Sequence, residues 1–245
     1  MKKFLGARNW RARRADPTAM LMLTRVLEAL LDLAAPRGCA ACDAALGTQA
    51  RSPFCAVCAP SLEPERAEGS FAGVPAFAIA PYGPPLSTAV LRLKHAGRVD
   101  LAVPLARELL RRAPELAAGR GTLLVPVPLH EKRLAERGYN QSCLIARALA
   151  ASTGARTAPR ALRRLRDTPR QATLGRAERL SNVDGTLVAR WPDRLEGAKI
   201  VLVDDVVTTG ATAEAAIGAL RRAGARVAAV AALALTSAPN HARGC

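Results

Sequence analysis

The chain has 245 residues, half of them apolar, with 36 Lys and Arg against 20 Asp and Glu and a formal net charge of +16. That apolar share excludes a chain disordered throughout, and with only four Phe, two Trp and two Tyr the core must be built from Ala, Leu and Val, which suits helices packed on a parallel sheet. A field of this sign draws phosphates and nucleic acid, although arginines spread over solvated helix faces give the same sum.

Residues 1 to 16 form a basic arm, with Lys2, Lys3, Arg8, Arg11, Arg13 and Arg14 against Asp16. In the apolar stretch Met20 to Ala35, the charges Arg25, Glu28 and Asp32 break any signal-peptide core, while Leu23, Val26, Leu27, Leu30 and Leu33 recur at helical spacing. An amphipathic helix is expected there. No run is long and apolar enough to span a membrane, and the expected compartment is the cytoplasm.

Four cysteines follow as Cys39-x2-Cys42-x12-Cys55-x2-Cys58. A two-residue gap lets both thiolates of a knuckle face one cation, and two knuckles complete a tetrahedral shell, so a structural Zn2+ is expected; an iron-sulfur cluster is not excluded by the spacing alone, and two disulfides are the alternative in an oxidising compartment. A closed four-thiolate shell has no open position for a substrate water, which assigns it to structure and not to catalysis. A segment this short has too small a core to fold alone, and the metal would supply its stability.

Pro60 to Gly73 is polar and reads as a linker, and Phe77 to Ala80 as the first strand of a larger domain. Helices are expected over Pro85 to His95, carrying Lys94 near its end, and over Leu101 to Arg112. Leu123 to Pro128 reads as a strand that ends abruptly at its prolines and delivers Leu129 and His130 to a loop. Lys132, Arg133 and Arg137 precede Gly138-Tyr139-Asn140-Gln141-Ser142, where the two amides either cap the next helix, Leu144 to Ala151, or line a pocket. Cys143 reads as a small apolar helix residue. Residues 160 to 179 carry seven arginines, Arg160, Arg163, Arg164, Arg166, Arg170, Arg176 and Arg179, and read as a basic loop.

The most informative stretch comes next. Ile200 to Val203 has the composition of a buried parallel strand and Ala211 to Arg222 that of a helix, so Asp204, Asp205, Val206, Val207, Thr208, Thr209, Gly210, Ala211 and Thr212 fall at a strand's carboxyl end, where open α/β sheets bind ligands. A helix N-terminus with Thr and Gly beside it can cradle a phosphate, and two ionised carboxylates, being pure acceptors, suit vicinal sugar hydroxyls. The local chemistry describes a ribose 5-phosphate site. Arg226 to Thr236 then reads as the last buried strand.

This stretch resembles the phosphoribosyl diphosphate (PRPP) motif of type I phosphoribosyltransferases. Val125-Pro126-Val127-Pro128-Leu129-His130, Arg133 and Arg137-Gly138-Tyr139-Asn140-Gln141-Ser142 resemble the signature of the ComF family, which also carries an N-terminal four-cysteine ribbon; Tyr82 through Lys94 and Gly97, Arg166-x-Thr168-x-x-Gln171-x-x-Leu174 and Arg179-x-x-Asn182-Val183 agree with it. Where that family commonly has an aromatic after Gly185, this chain has Thr186-Leu187. The resemblance implies a type I phosphoribosyltransferase-like α/β fold over residues 70 to 245, a zinc ribbon over 37 to 62, and an arm and helix over 1 to 36. It further implies a PRPP site with Mg2+, Asp204 and Asp205 as its catalytic pair, residues 206 to 212 on the 5-phosphate, and Lys94, His130, Arg133, Arg137, Arg166, Thr168 and Gln171 toward the pyrophosphate and a closing loop. The implied setting is natural competence, with single-stranded DNA and a helicase-like ATPase as partners of the N-terminal region. Phosphoribosyl transfer to an acceptor not visible in the sequence, a non-catalytic PRPP or nucleotide sensor or DNA-handling adaptor, and ordinary base salvage all remain open at this point.

Overall fold

The computed structural model describes residues 38–47, 50–62, 66–117, 119–165 and 186–236. The basic arm, the expected amphipathic helix, Arg166, Thr168, Gln171, the rest of the basic loop beyond Leu165 and Cys245 lie outside the described residues.

The elements are β1 (Ala67–Phe71), β2 (Val74–Pro81), α1 (Leu86–His95), α2 (Ala102–Arg112), β3 (Thr122–Pro126), α3 (Glu131–Arg137), α4 (Gln141–Thr153), β4 (Arg156–Thr157), β5 (Leu162–Arg164), β6 (Leu187–Ala189), β7 (Lys199–Val203), β8 (Val206–Val207), α5 (Ala211–Arg222) and β9 (Arg226–Leu235). The main sheet runs β1-β2-β9-β7-β3-β4, with β8 also on β9, and every pairing is parallel except β1 with β2. β5 and β6 form a separate antiparallel pair.

The central strands are apolar runs because both faces are covered. On one face α1, α2 and α4 pack with ribbon residues Cys39, Phe54 and Leu62; on the other α5 packs with Leu162 and Leu187 of the small hairpin. The stretch read as a linker is partly structured: β1 is an edge strand made of Ala67-Glu68-Gly69-Ser70-Phe71, with Ala72 and Gly73 at positive φ in the turn to β2. Its three middle residues are all exposed, so no alternation marks it as a strand. α4 starts three residues before the expected Leu144, because Asn140 caps it. Part of the expected basic loop, Leu162–Arg164, is the strand β5.

Candidate functional site

β7 ends at Val203, and the chain continues as two buried acids, Asp204 and Asp205. The backbone is pinned here to the neighbouring strand: Asp204 N–H donates to Ala231 O at 2.9 Å, and Leu233 and Ala234 N–H donate to Asp205 O at 3.0 and 3.2 Å. The acids therefore stand on a fixed ledge at the carboxyl end of the sheet. β8 follows, then Thr208 and Thr209, and Gly210 at φ 84° opens α5 without a side-chain cap. The first amides of a 12-residue helix are thus uncapped by any side chain, with the dipole's positive end beside them. Only glycine fits at 210. Besides the positive φ, a Cβ there would lie 2.2 Å from Phe71 Cδ1, since the tip of β1 folds over this turn.

Side chains from three other elements converge on the acid pair. From α1, Lys94 Nζ stands 3.0 Å from Asp205 Oδ2, an ion pair whose alignment leaves Oδ2 buried with no hydrogen-bond donor. From α4, Ser142 Oγ donates to Asp204 Oδ1 at 3.1 Å, and the same oxygen accepts the Asp205 N–H at 2.8 Å. Asp205 Oδ1 accepts the Val206 N–H at 2.6 Å. Burial, with the Asp205 charge beside it, pushes Asp204 up to about 7, against the pull of the Asp205 amide, the Lys94 ammonium and the Ser142 hydroxyl. A carboxylate oxygen held by an ion pair alone, next to an acid poised near neutrality, can still accept from hydroxyl donors.

The segment after β3 is a scaffold for this arrangement. His130 caps α3, its Nδ1 accepting the Lys132 N–H at 3.3 Å, and Arg137 donates to Gln141 Oε1 at 2.5 Å. Asn140 Oδ1 takes the Ser142 and Cys143 amides while its Nδ2 donates to Val127 O at 3.0 Å, which joins the end of β3 to the start of α4. Of the two uses open to these amides, capping is the one Asn140 makes. Tyr139 Oη donates to Leu93 O at 2.5 Å, one residue before Lys94. Cys143 is half-buried on α4. Sequence reading named Lys94, Asp204 and Asp205, and the structure brings these together; it gives His130 a capping bond and Arg137 a bond to Gln141. The contacts of Ser142 and Phe71 went unread, because each reaches the site from an element distant in sequence.

A second constellation lies on the face of the sheet that carries α1 and α2. The Sγ atoms of Cys39, Cys42, Cys55 and Cys58 all lie within 4.8 Å of one another, with Cys42 and Cys55 at 3.6 Å. A tetrahedron with bonds of about 2.3 Å has edges of about 3.8 Å, so this donor set fits one metal ion. Each knuckle is a tight turn, closed by Asp43 N–H to Cys39 O and by Ala59 N–H to Cys55 O, and Ala40 N–H to Pro53 O ties the two together. Burial raises the Cys39 thiol, but amide donors at Cys42, Cys55 and Ala41 outweigh it and bring it to about 6; burial and the neighbouring sulfurs push Cys58 up to about 12. Without a shared cation the four thiols cannot ionise together. The ribbon is bolted to the body at Asp43, which accepts from Arg98 at 2.8 Å and is ion-paired with Arg92 at 2.8 Å, and at Leu62 O, which accepts from Arg112 at 2.8 Å. Arg112 also pairs with the fully buried Glu108 of its own helix.

Residues 151–243 match the model of the phosphoribosyl transferase domain. The chain is 37% identical over 153 residues to the DNA utilization protein YhgH of Salmonella typhi, a match covering 60% of this chain and 66% of that protein. It is 29% identical to Competence protein F of Haemophilus influenzae over the same shares of each chain. To Competence protein ComFC of Bacillus subtilis it is 28% identical over 54% of this chain and 51% of that one. The match thus spans just under two thirds of the length of the first of these relatives. Among the described residues no helix is long and apolar enough to cross a membrane.

Proposed function

Because this chain belongs to the ComF family of phosphoribosyltransferase-domain proteins, we propose that it binds PRPP at the carboxyl end of its parallel sheet and serves the handling of incoming DNA in the cytoplasm. The observation that carries the ligand reading is the acid pair itself. Asp205 keeps one buried oxygen without a hydrogen-bond donor, and Asp204 sits beside it with a pKa near 7. Vicinal ribose hydroxyls supply the missing donors, and the turn from Thr208 to Thr212 with the free amides of α5 receives the 5-phosphate. Mg2+ travelling with the diphosphate would neutralise its charge, and Lys94 would then exchange part of its hold on Asp205 for that charge. Transfer of the phosphoribosyl group to a nitrogen acceptor is the enzymatic form of this reading; a PRPP sensor that assists DNA uptake is the non-catalytic form. The four thiolates fit Zn2+ as the structural metal of the ribbon.

The test is ligand-induced stabilisation. Mg2+-PRPP should raise the melting temperature of the wild type and leave Asp205→Asn unmoved; equal shifts in both would remove the acid pair from the site. Release of pyrophosphate from PRPP, measured across a panel of bases and amines, separates the two forms: release with any acceptor establishes the enzyme, and intact PRPP with full binding establishes the sensor for that panel.

A further inference from the structure

Three consecutive residues at the end of α1 hold three different parts of the molecule. Arg92 Nη1 lies 2.8 Å from Asp43 Oδ1 in the ribbon, Leu93 O accepts the Tyr139 hydroxyl at 2.5 Å from the turn before α4, and Lys94 Nζ stands 3.0 Å from Asp205 Oδ2. Successive side chains on a helix are about 100° apart, so Arg92 and Lys94 leave α1 on nearly opposite sides. The last turn of the helix is therefore a strut, with the ribbon at one end and the acid pair at the other.

Little within α1 itself keeps that turn in place. The helix has ten residues, too few to persist in water alone, and its last carbonyls are capped by backbone: Ala96 N–H donates to Arg92 O at 3.0 Å, and Arg98 N–H reaches the same oxygen at 3.4 Å. The Asp43 carboxylate clamps both sides of this cap, pairing with Arg92 on the helix and accepting from Arg98 where the chain leaves it. Arg98 is held by Asp100 as well. Arg92 is the dependent one, because its Nη1 is buried without a hydrogen-bond acceptor and its ion pair is with Asp43. Without that carboxylate a buried guanidinium nitrogen loses its counter-charge, a strain relieved when the side chain swings to solvent and the turn opens.

Asp43 is in turn presented by the metal knuckle. It follows Cys42, adopts φ 60° and donates its N–H to Cys39 O at 3.0 Å, and Gly38 lies so close that a Cβ there would stand 3.2 Å from Asp43 O. The turn that gathers Cys39 and Cys42 onto one cation thus also fixes where this carboxylate points.

We infer that the strut couples the two sites: Asp43 and Arg92 are positioning residues that hold Lys94 on Asp205, and metal in the ribbon and Mg2+-PRPP at the acid pair each strengthen the binding of the other. An open knuckle withdraws Asp43, α1 loses its last turn, and Lys94 leaves a carboxylate that then repels the diphosphate. Linkage makes the effect equal in both directions. The step from ribbon to Lys94 stands on the contacts alone, and the step from Lys94 to ligand rests on the PRPP reading.

The experiment uses the full chain and follows Lys94 by its rate of labelling with an amine-reactive reagent, read by peptide mass spectrometry against the exposed Lys199. Arg92→Gln removes the charge at nearly unchanged helix propensity, and Asp43→Gly removes the carboxylate while tolerating the positive φ. Each should speed Lys94 labelling several-fold relative to Lys199 while metal analysis still finds about one zinc per chain. Arg92→Lys should restore most of the protection, and the double variant Asp43→Gly with Arg92→Gln should do no more than either alone. Arg92 lies outside the ribbon, so Arg92→Gln decides the matter if Asp43→Gly loses its metal. Stripping zinc from the wild type should weaken Mg2+-PRPP binding, measured by calorimetry, about 5- to 150-fold, and saturating Mg2+-PRPP should tighten zinc binding by the same factor; both effects should vanish in Arg92→Gln. Lys94 labelled at the wild-type rate in Arg92→Gln overturns the strut, and a Mg2+-PRPP affinity indifferent to zinc overturns the coupling. A wild type that does not bind Mg2+-PRPP at all sinks the PRPP reading instead, and the labelling still decides the strut.

Discussion

Asp204→Asn should make the protein more stable at pH 8 while removing the acid proposed to hold the sugar. Asp204 Oδ1 accepts from Ser142 Oγ and from the Asp205 amide, and an Asn carbonyl can keep both bonds. What the amide removes is the charge. The carboxyl has moved from an ordinary 3.8 to about 7, so the folded state holds a proton that the unfolded state has released between those values. Stability from this group is therefore complete below about 3.8 and lost as pH rises through about 7. At 1.36 kcal/mol per pH unit, ionisation at pH 8 costs about 4 kcal/mol, which is the ceiling on the gain from Asn. The working expectation is about 2–4 kcal/mol at pH 8, falling toward zero near pH 4, a large fraction of the stability of an ordinary domain. Urea denaturation of the wild type and the variant at a series of pH values reads the contribution of Asp204 together with its coupling to Asp205 and Lys94, because titrating groups that do not interact with it cancel in the difference. A difference that does not change with pH, or an Asn variant less stable at pH 8, would refute the reasoning and show that Lys94 and Ser142 already compensate the charge. A gain accompanied by loss of Mg2+-PRPP stabilisation would place Asp204 among residues held at a cost in stability because the ligand needs them.

Lys94→Met should cost about 2–4 kcal/mol by leaving Asp205 buried without its cation, and Asp205→Asn in the same chain should recover most of it; equal losses in the single and double variants would mean that the ion pair is incidental. Gly210→Ala should abolish Mg2+-PRPP stabilisation, since the new Cβ would overlap the Phe71 ring; adding Phe71→Ala removes the overlap but leaves the φ of 84° for Ala to adopt, so recovery should be partial, and full recovery would assign the whole effect to the ring. Substituting Cys39 and Cys55 by Ser should release about one zinc per chain, measured by metal analysis, and lower the melting temperature, because the ribbon shares its apolar contacts with the α1 and α2 layer; an unchanged metal content or melting curve would refute the assignment.

Much of this architecture can be read locally. The spacing of Cys39, Cys42, Cys55 and Cys58 fixes which thiols can share a cation, since two residues between cysteines close a knuckle whatever surrounds it. Lys199–Val203 and Ala211–Arg222 carry the composition of a buried strand and a packed helix, and the observed elements agree with the reading to within a residue. The acids and threonines must then lie at a strand's carboxyl end, because that position follows from the order strand, turn, helix. Edge strand β1 escaped because its middle residues are exposed on both sides and leave no alternation to read.

The tertiary structure alone decided which distant groups meet. Sheet order sets β9 and β7 side by side, α1 covers one face of the sheet, and Lys94 therefore ends at Asp205 while Ser142 of α4 ends at Asp204. Only that convergence buries the two acids together, so the larger cause of the Asp204 shift, burial, belongs to the fold, and the Asp205 charge beside it to the motif. The same holds at the amino ends of the strands, where Lys199 and Arg226 are single charges along the chain and become neighbours when β7 and β9 align. Sequence determines what a residue can bond to within a turn or two of itself; which charges lose their water together is settled when the strands assemble.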